Sequence, residues 1–139
     1  MIQHQDTITI RTRGKGLQEI TGDIASWLSR HGVENGILLV FCQHTSASLT
    51  IQENADPDVQ RDLETYFERI VREGPALYRH TAEGADDMPA HIRSALTGVQ
   101  LTIPVRGGRM ALGTWQGVYL FEHRTAPHSR NLVLHFLGV

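Results

Sequence analysis

The chain has 139 residues, the size of one domain with one sizeable core. Hydrophobic residues make up 40% and charged residues 20%, an ordinary globular composition, and no run approaches the roughly 18 apolar residues of a membrane span. A formal charge of −2, with 13 scattered cations that are mostly arginine, argues against nucleic acid or any other polyanion as partner.

In chain order, residues 6–12 (DTITIRT) alternate β-branched or apolar with polar and predict a half-exposed strand. Leu17, Ile20, Ile24, Trp27, Leu28 and His31 recur at helical spacing, and Gly32 stops that helix. Residues 36–43 (GILLVFCQ) are apolar on both alternations, which predicts a central strand covered on each face. SLTIQ (48–52) predicts a short strand behind it. Asp56-Pro57 starts a second helix as N-cap and first helical residue, with Val59, Leu63, Tyr66, Phe67 and Ile70 as its apolar stripe. A polar loop from about 74 to 88 leads into a third helix over 88–97, closed by Gly98. Four strand-like runs end the chain, at 100–105, 109–112, 116–123 and 130–137, the first two joined across Gly107-Gly108. The order β-α-β-β-α-loop-α-β-β-β-β predicts one α+β domain over 1–139, largely antiparallel, with two to three helices outside the sheet.

Eight histidines are an excess for such a chain, and several stand beside other polar residues. His44 ends the strand GILLVFCQH, where the pattern turns to hydroxyls at Thr45, Ser46 and Ser48, possible donors to an anion. A capped turn with a buried histidine is the plain alternative. The loop YRHTAEGADDMPAH brings His80, Asp86 and Asp87 toward a helix whose first turn carries His91. An Asp pair before Pro89 has a simple use as a helix cap, but that leaves the two histidines unexplained. His44, His80 and His91 together would make a three-histidine metal site with an open position, Asp87 adding a carboxylate or orienting a histidine. The run GTWQG (113–117) suggests a tight backbone path. Arg124 and Arg130 are planar, multi-donor cations suited to phosphate. Cys42, inside an apolar strand, reads as a small core hydrophobe rather than a nucleophile. As the lone cysteine it excludes an internal disulfide, and with no apolar leader in MIQHQDTITIRTRG it points to the cytoplasm.

QHTSASLTIQENADPDV (43–59), YRHTAEGADDMPAHIRSAL (78–96) and LTIPVRGGRMALGTWQGVYLFEHR (101–124) resemble the YjbQ-like family, which carries the name secondary thiamine-phosphate synthase. The resemblance runs in order across about 43–137. It implies a β-sandwich-like α+β fold, a homotrimer, and a site of His44, His80 and His91 supported by Asn54, Asp87, Gln116 and Glu122. It implies a divalent metal there, zinc in the first place and magnesium as the alternative, and leaves His123 and His128 outside the core site. The family name implies joining an aminopyrimidine diphosphate to a thiazole phosphate with loss of pyrophosphate. Thr45, Ser46, Ser48, Arg124 and Arg130 are candidates to steady the departing anion. The expectation is a metal-dependent enzyme for a small phosphorylated substrate, with that synthase reaction as a side activity. The competing expectation is a non-catalytic trimeric module that binds a metal or anion.

Overall fold

The computed structural model describes residues 1–139. Eight strands and three helices follow in the order β1 (Ile2–Arg11), β2 (Gly16–Glu19), α1 (Thr21–His31), β3 (Gly36–Cys42), β4 (Ala47–Glu53), α2 (Pro57–Ile70), α3 (Asp87–Thr97), β5 (Gln100–Arg106), β6 (Arg109–Met110), β7 (Gln116–Glu122) and β8 (Ser129–Gly138). A single 3-10 turn over Pro75–Leu77 sits between α2 and α3. The strands form a five-stranded sheet in the order β1-β8-β3-β5-β6 and a three-stranded sheet in the order β2-β7-β4. Every pairing is antiparallel. No helix is long and apolar enough to cross a membrane.

The core lies between the two sheets. Period-2 alternation sends Leu38, Val40 and Cys42 of β3 and Leu132, Leu134 and Phe136 of β8 inward, against Val118 and Leu120 of β7. Helix α1 closes this core with Ile24, Trp27 and Leu28, each at most 1% exposed. Full burial of such side chains stabilises by about 1.5–3 kcal/mol each. The other face of β7 carries Tyr119 and Phe121 to α2, where Phe67 meets Phe121 edge to face at 5.4 Å and Gln60 donates to the Tyr119 hydroxyl. The α+β, largely antiparallel sandwich expected from the sequence is thus present, with α2 and α3 outside it.

Two expectations need correction. The helical stripe does not begin at Leu17. Gly16–Glu19 is an extra strand paired with β7 (Leu17 opposite Phe121), and the helix starts at Thr21. A four-residue segment carries too little periodicity to declare itself, and its pairing partner lies a hundred residues away. Nor is β3 covered on both faces. It is central in its sheet, but Ile37 and Phe41 are 53% and 41% exposed, so the outer face is open within one chain. The Gly107-Gly108 turn is as expected. Both glycines have positive φ (56° and 75°) between the paired Arg106 and Arg109, the backbone that the twist of a two-residue hairpin demands.

Candidate metal centre

Helix α3 positions the site. Asp87 and His91 are four residues apart in its first turns and therefore share one face. The loop before it folds His80 back over the same face. The His80 Nε2–H donates to Asp87 Oδ2 at 2.6 Å, and His91 Nε2 stands 3.1 Å from that same oxygen. The two rings meet edge to face at 5.4 Å. One ligand atom from each of His80, Asp87 and His91 lies within 4.8 Å of the others.

The hydrogen bonds around these groups test whether they suit a cation. His91 Nδ1–H donates to the Thr45 carbonyl at 2.9 Å, and a carbonyl can only accept. In a neutral ring that leaves a lone pair on Nε2, aimed at a carboxylate oxygen that also only accepts. Two acceptors at 3.1 Å repel unless a positive centre, a second ring proton or a metal ion, lies with them. A histidine whose outer nitrogen is anchored on a backbone carbonyl is the usual support of a metal-ligating imidazole. The residues fit the group.

Arg124 holds the carboxylate from behind. Its Nη1 donates to Asp87 Oδ1 at 2.8 Å, its Nε to Asp86 Oδ2 at 2.9 Å and its Nη2 to the Glu83 carbonyl at 3.0 Å. Asp86 also accepts from the Thr125 backbone N–H and makes no side-chain cap bond to α3, so the Asp pair is not a simple helix cap. Asp87 is 2% exposed. Burial alone would raise its carboxyl, but the His80 hydrogen bond and the charges of His91 and Arg124 outweigh it and hold the group below the ordinary value. Oδ1 is thus taken by Arg124, and Oδ2 is left for the histidines and whatever they bind.

His44 does not join this group. Its Nε2 accepts the Asn131 backbone N–H at 2.7 Å, and Arg130 Nη1 stands 3.5 Å from Nδ1. Burial, then the Arg130 charge, lower its pKa and keep the ring neutral, and the single lone pair of a neutral imidazole is already occupied. The expected three-histidine set is therefore two histidines and an aspartate, with His44 and His91 both lining a cleft of about 690 Å³.

Other expected groups are also placed elsewhere or already committed. Ser46 and Ser48 are buried. Ser46 Oγ accepts from Arg130, and Ser48 Oγ lies 2.8 Å from His123 Nε2 and 2.6 Å from Thr97 Oγ1. Neither lines the cleft beside His91. Arg130 pairs with buried Glu122, whose other hydrogen bonds come from Thr12 and its own neighbours' backbone. Burial would raise the Glu122 carboxyl, yet Arg130 and Thr12 hold it low, so this pair is a closed structural ion pair. Arg124 is similarly committed. Only Thr45 remains exposed beside the site.

Asn54 and Gln116 lie at the opposite end of the three-stranded sheet. Gln116 pairs with Glu53 while Glu122 pairs with Ala47, so the two ends of β7 are roughly 20 Å apart at about 3.3 Å per residue. There Asn54 donates to Glu19 and Gln116 Oε1 accepts from the Gly113 N–H. The tight path expected of GTWQG is real at Gly117, where a Cβ would stand 2.6 Å from the Glu19 carboxylate. What approaches is this chain's own Glu19 and Asn54. Cys42 is 1% exposed, and burial pushes its thiol pKa up, as a core residue requires. The sequence offers Asp87 as an added carboxylate or as a group that orients a histidine, and it carries no sign of the Thr45 carbonyl bond. The i, i+4 spacing of Asp87 and His91 on one predicted helix was the available signal for the first.

A family model described as UPF0047 protein YjbQ-like matches residues 6–139. A UPF0047 protein of Synechocystis sp. is 52% identical over 98% of this chain and 92% of its own length. The UPF0047 protein YjbQ of Salmonella typhimurium is 46% identical over 97% of this chain and 98% of its own. Among solved structures, the hypothetical protein APE1520 from Aeropyrum pernix K1 is similar with a TM-score of 0.87 at 30% identity, covering 98% of this chain and 99% of that one. A YjbQ/UPF0047 protein from Clostridium acetobutylicum gives a TM-score of 0.85 at 34% identity, covering 95% and 99%.

Proposed function

Because the chain belongs to the YjbQ-like UPF0047 family and gathers His80, Asp87 and His91 at one point, we propose that it is a metal-dependent enzyme acting on a small phosphorylated substrate. The observation that carries this reading is the His91 Nδ1–H bond to the Thr45 carbonyl, which turns the Nε2 lone pair toward Asp87 Oδ2. Two imidazoles and a carboxylate favour zinc, with magnesium, which prefers an all-oxygen shell, as the alternative. A divalent ion held by three protein ligands supplies open positions that bind and polarise a phosphate or carbonyl oxygen.

The chain's own residues do the remaining work. Arg124 fixes Asp87 Oδ1 and with it the direction of Oδ2. Thr45 fixes the His91 ring and, itself exposed, lines the same cleft. Phe41 and Val99 line that cleft and would seat the apolar body of a substrate whose anionic group lies against His91. The finer proposal, that the reaction joins an aminopyrimidine diphosphate to a thiazole phosphate, suits a cleft with an apolar wall beside a cationic point. With Arg124 and Arg130 both in ion pairs, the departing pyrophosphate depends on the ion site rather than on arginines.

That same occupation of both arginines favours the second reading, a non-catalytic module that binds a metal or anion. The ligand count separates the two: three protein ligands with an open position mark an enzyme, four a closed site.

A homotrimer is part of the proposal. Ile37 and Phe41 of β3 and Leu137 of β8 lie on the open face of the five-stranded sheet, and Phe41 also lines the cleft beside His91. A neighbouring copy on that face would close the cleft.

The deciding experiment is metal analysis of the purified protein beside His80→Ala, Asp87→Asn, His91→Ala and His44→Ala. The expected result is about one zinc per chain, lost in the first three variants and retained in His44→Ala. A metal-free protein that takes up neither zinc nor magnesium would end this reading.

A further inference from the structure

The open face of the five-stranded sheet differs from the rest of the surface in its charge. Strand register sets its outward side chains in three rows of four. Gln3, Leu137, Ile37 and Pro104 make the first row, Gln5, His135, Leu39 and Thr102 the second, and Thr7, Val133, Phe41 and Gln100 the third. None of the twelve is Asp, Glu, Lys or Arg, in a chain that is 20% charged. Depletion of charge around exposed Ile, Leu and Phe marks the centre of a surface that another protein covers.

His135 stands in the middle row and is the one group on this face that can gain a charge near neutral pH. Register places it between Gln5 of β1 and Leu39 of β3. Its Nδ1–H donates to Gln5 Oε1 at 2.8 Å, which leaves the lone pair of the neutral ring on Nε2. His31, His80, His91 and His128 each have a carboxylate nearby, and His135 has none. Its neighbours in the rows above and below are Gln3, Leu137, Ile37, Thr7, Val133 and Phe41, all uncharged. A surface that covers Leu137, Ile37, Leu39 and Phe41 is apolar where it meets them, and His135 lies in their midst. A proton on Nε2 would place a cation and an unanswered donor in that dry contact, at a cost the separate chain in water does not bear.

We propose that His135 is a pH switch on assembly: its neutral ring is accommodated between copies of the chain, and its protonation drives them apart. The inference rests on the homotrimer proposed above and adds a control on the same site, because Phe41 belongs both to this face and to the cleft beside His91. The separate chain takes up the proton and the assembled one excludes it. Assembly is therefore complete at high pH and is lost as the pH falls through the range in which imidazoles titrate. Each chain contributes up to about tenfold in the dissociation constant per pH unit, so the three of a trimer together contribute up to about a thousandfold.

The test is sedimentation of the whole protein over a dilution series at pH 7.5 and pH 5.5, at constant ionic strength, beside His135→Gln and His135→Lys. The wild type is expected to be a trimer at pH 7.5 and to dissociate at least about a hundredfold more readily at pH 5.5. His135→Gln, whose amide can still donate to Gln5, should stay assembled at both pH values. His135→Lys, a standing charge at the same place, should be dissociated at both, with an unchanged circular dichroism spectrum. Any zinc lost at the lower pH is lost from the wild type and from His135→Gln alike, so the difference between them reports His135. A wild-type trimer equally tight or tighter at pH 5.5, or a His135→Gln variant that falls apart there as the wild type does, would overturn the switch and leave the trimer standing. Single-chain mass at pH 7.5 would remove the trimer itself, and the switch with it.

Discussion

His123 shows how one buried side chain ties stability to pH. Burial, and then the Arg93 charge, push its pKa from 6.5 down to about 3. The unfolded chain therefore takes up a proton as the pH falls below 6.5, while the native ring stays neutral until about 3. Its contribution to stability is complete above pH 6.5 and is lost progressively toward pH 3, about 5 kcal/mol at most. Urea unfolding between pH 4 and 7, in carboxylate-free buffers, should lose stability toward acid, and His123→Gln should flatten that slope. An unchanged slope in the variant would place the acid sensitivity elsewhere. At the same scale, Asp87 is brought beside His80 and His91 while His44 is not. His44 is legible as a histidine at a strand end, but only its surroundings reveal that the Asn131 N–H already occupies its lone pair.

At the scale of elements, α2 is the clearest case of local legibility. Asp56 caps it by accepting from the Asp58 N–H at 2.9 Å, and Pro57 opens it, both as the local signals require. Yet none of its residues is fully buried, so the helix lies on Phe121 and Tyr119 rather than in the core. Asp56→Ala should cost about 1 kcal/mol. It should first appear as faster amide exchange over 57–63, before any large change in global unfolding. Uniform slowing of exchange would contradict a peripheral, cap-dependent helix. Strand β2 is the opposite case. Leu17 carries the spacing of a helix, and its conformation is set by pairing with β7. Helix α3 combines the two. Its i, i+4 pair is local, while His80, which completes the group, arrives by way of a loop.

At the scale of the whole molecule, the five-stranded sheet has one face in the core and one open. Ile37, Phe41 and Leu137 are exposed by 53%, 41% and 42%. Light scattering should give about three times the 15.6 kDa chain mass. The double variant Ile37→Lys and Leu137→Lys should fall to the single-chain mass with its fold intact, since both side chains already face outward. On the proposed function, dissociation should open the cleft beside His91 and lower activity while any zinc bound at His80, Asp87 and His91 stays. A wild-type protein of single-chain mass would remove the trimer from the proposal.

The sequence by itself determined what depends on near neighbours along the chain: strand alternation, the Asp56-Pro57 helix start, the Gly107-Gly108 hairpin, and the run of residues that resembles one family. These follow from backbone sterics and short-range periodicity, which act within a few residues. Only the tertiary structure decided which polar groups are already satisfied. It committed Arg124 to Asp86 and Asp87, Arg130 to Glu122, and His44 to Asn131, and it set Asn54 and Gln116 at the far end of the sheet. It left His80, Asp87 and His91 converging, and Arg93 Nε and His123 Nδ1 buried without a hydrogen-bond partner. The physical reason is that a hydrogen-bonding group can be available to a ligand only if no other part of the fold has reached it, and those partners lie tens of residues away in the chain.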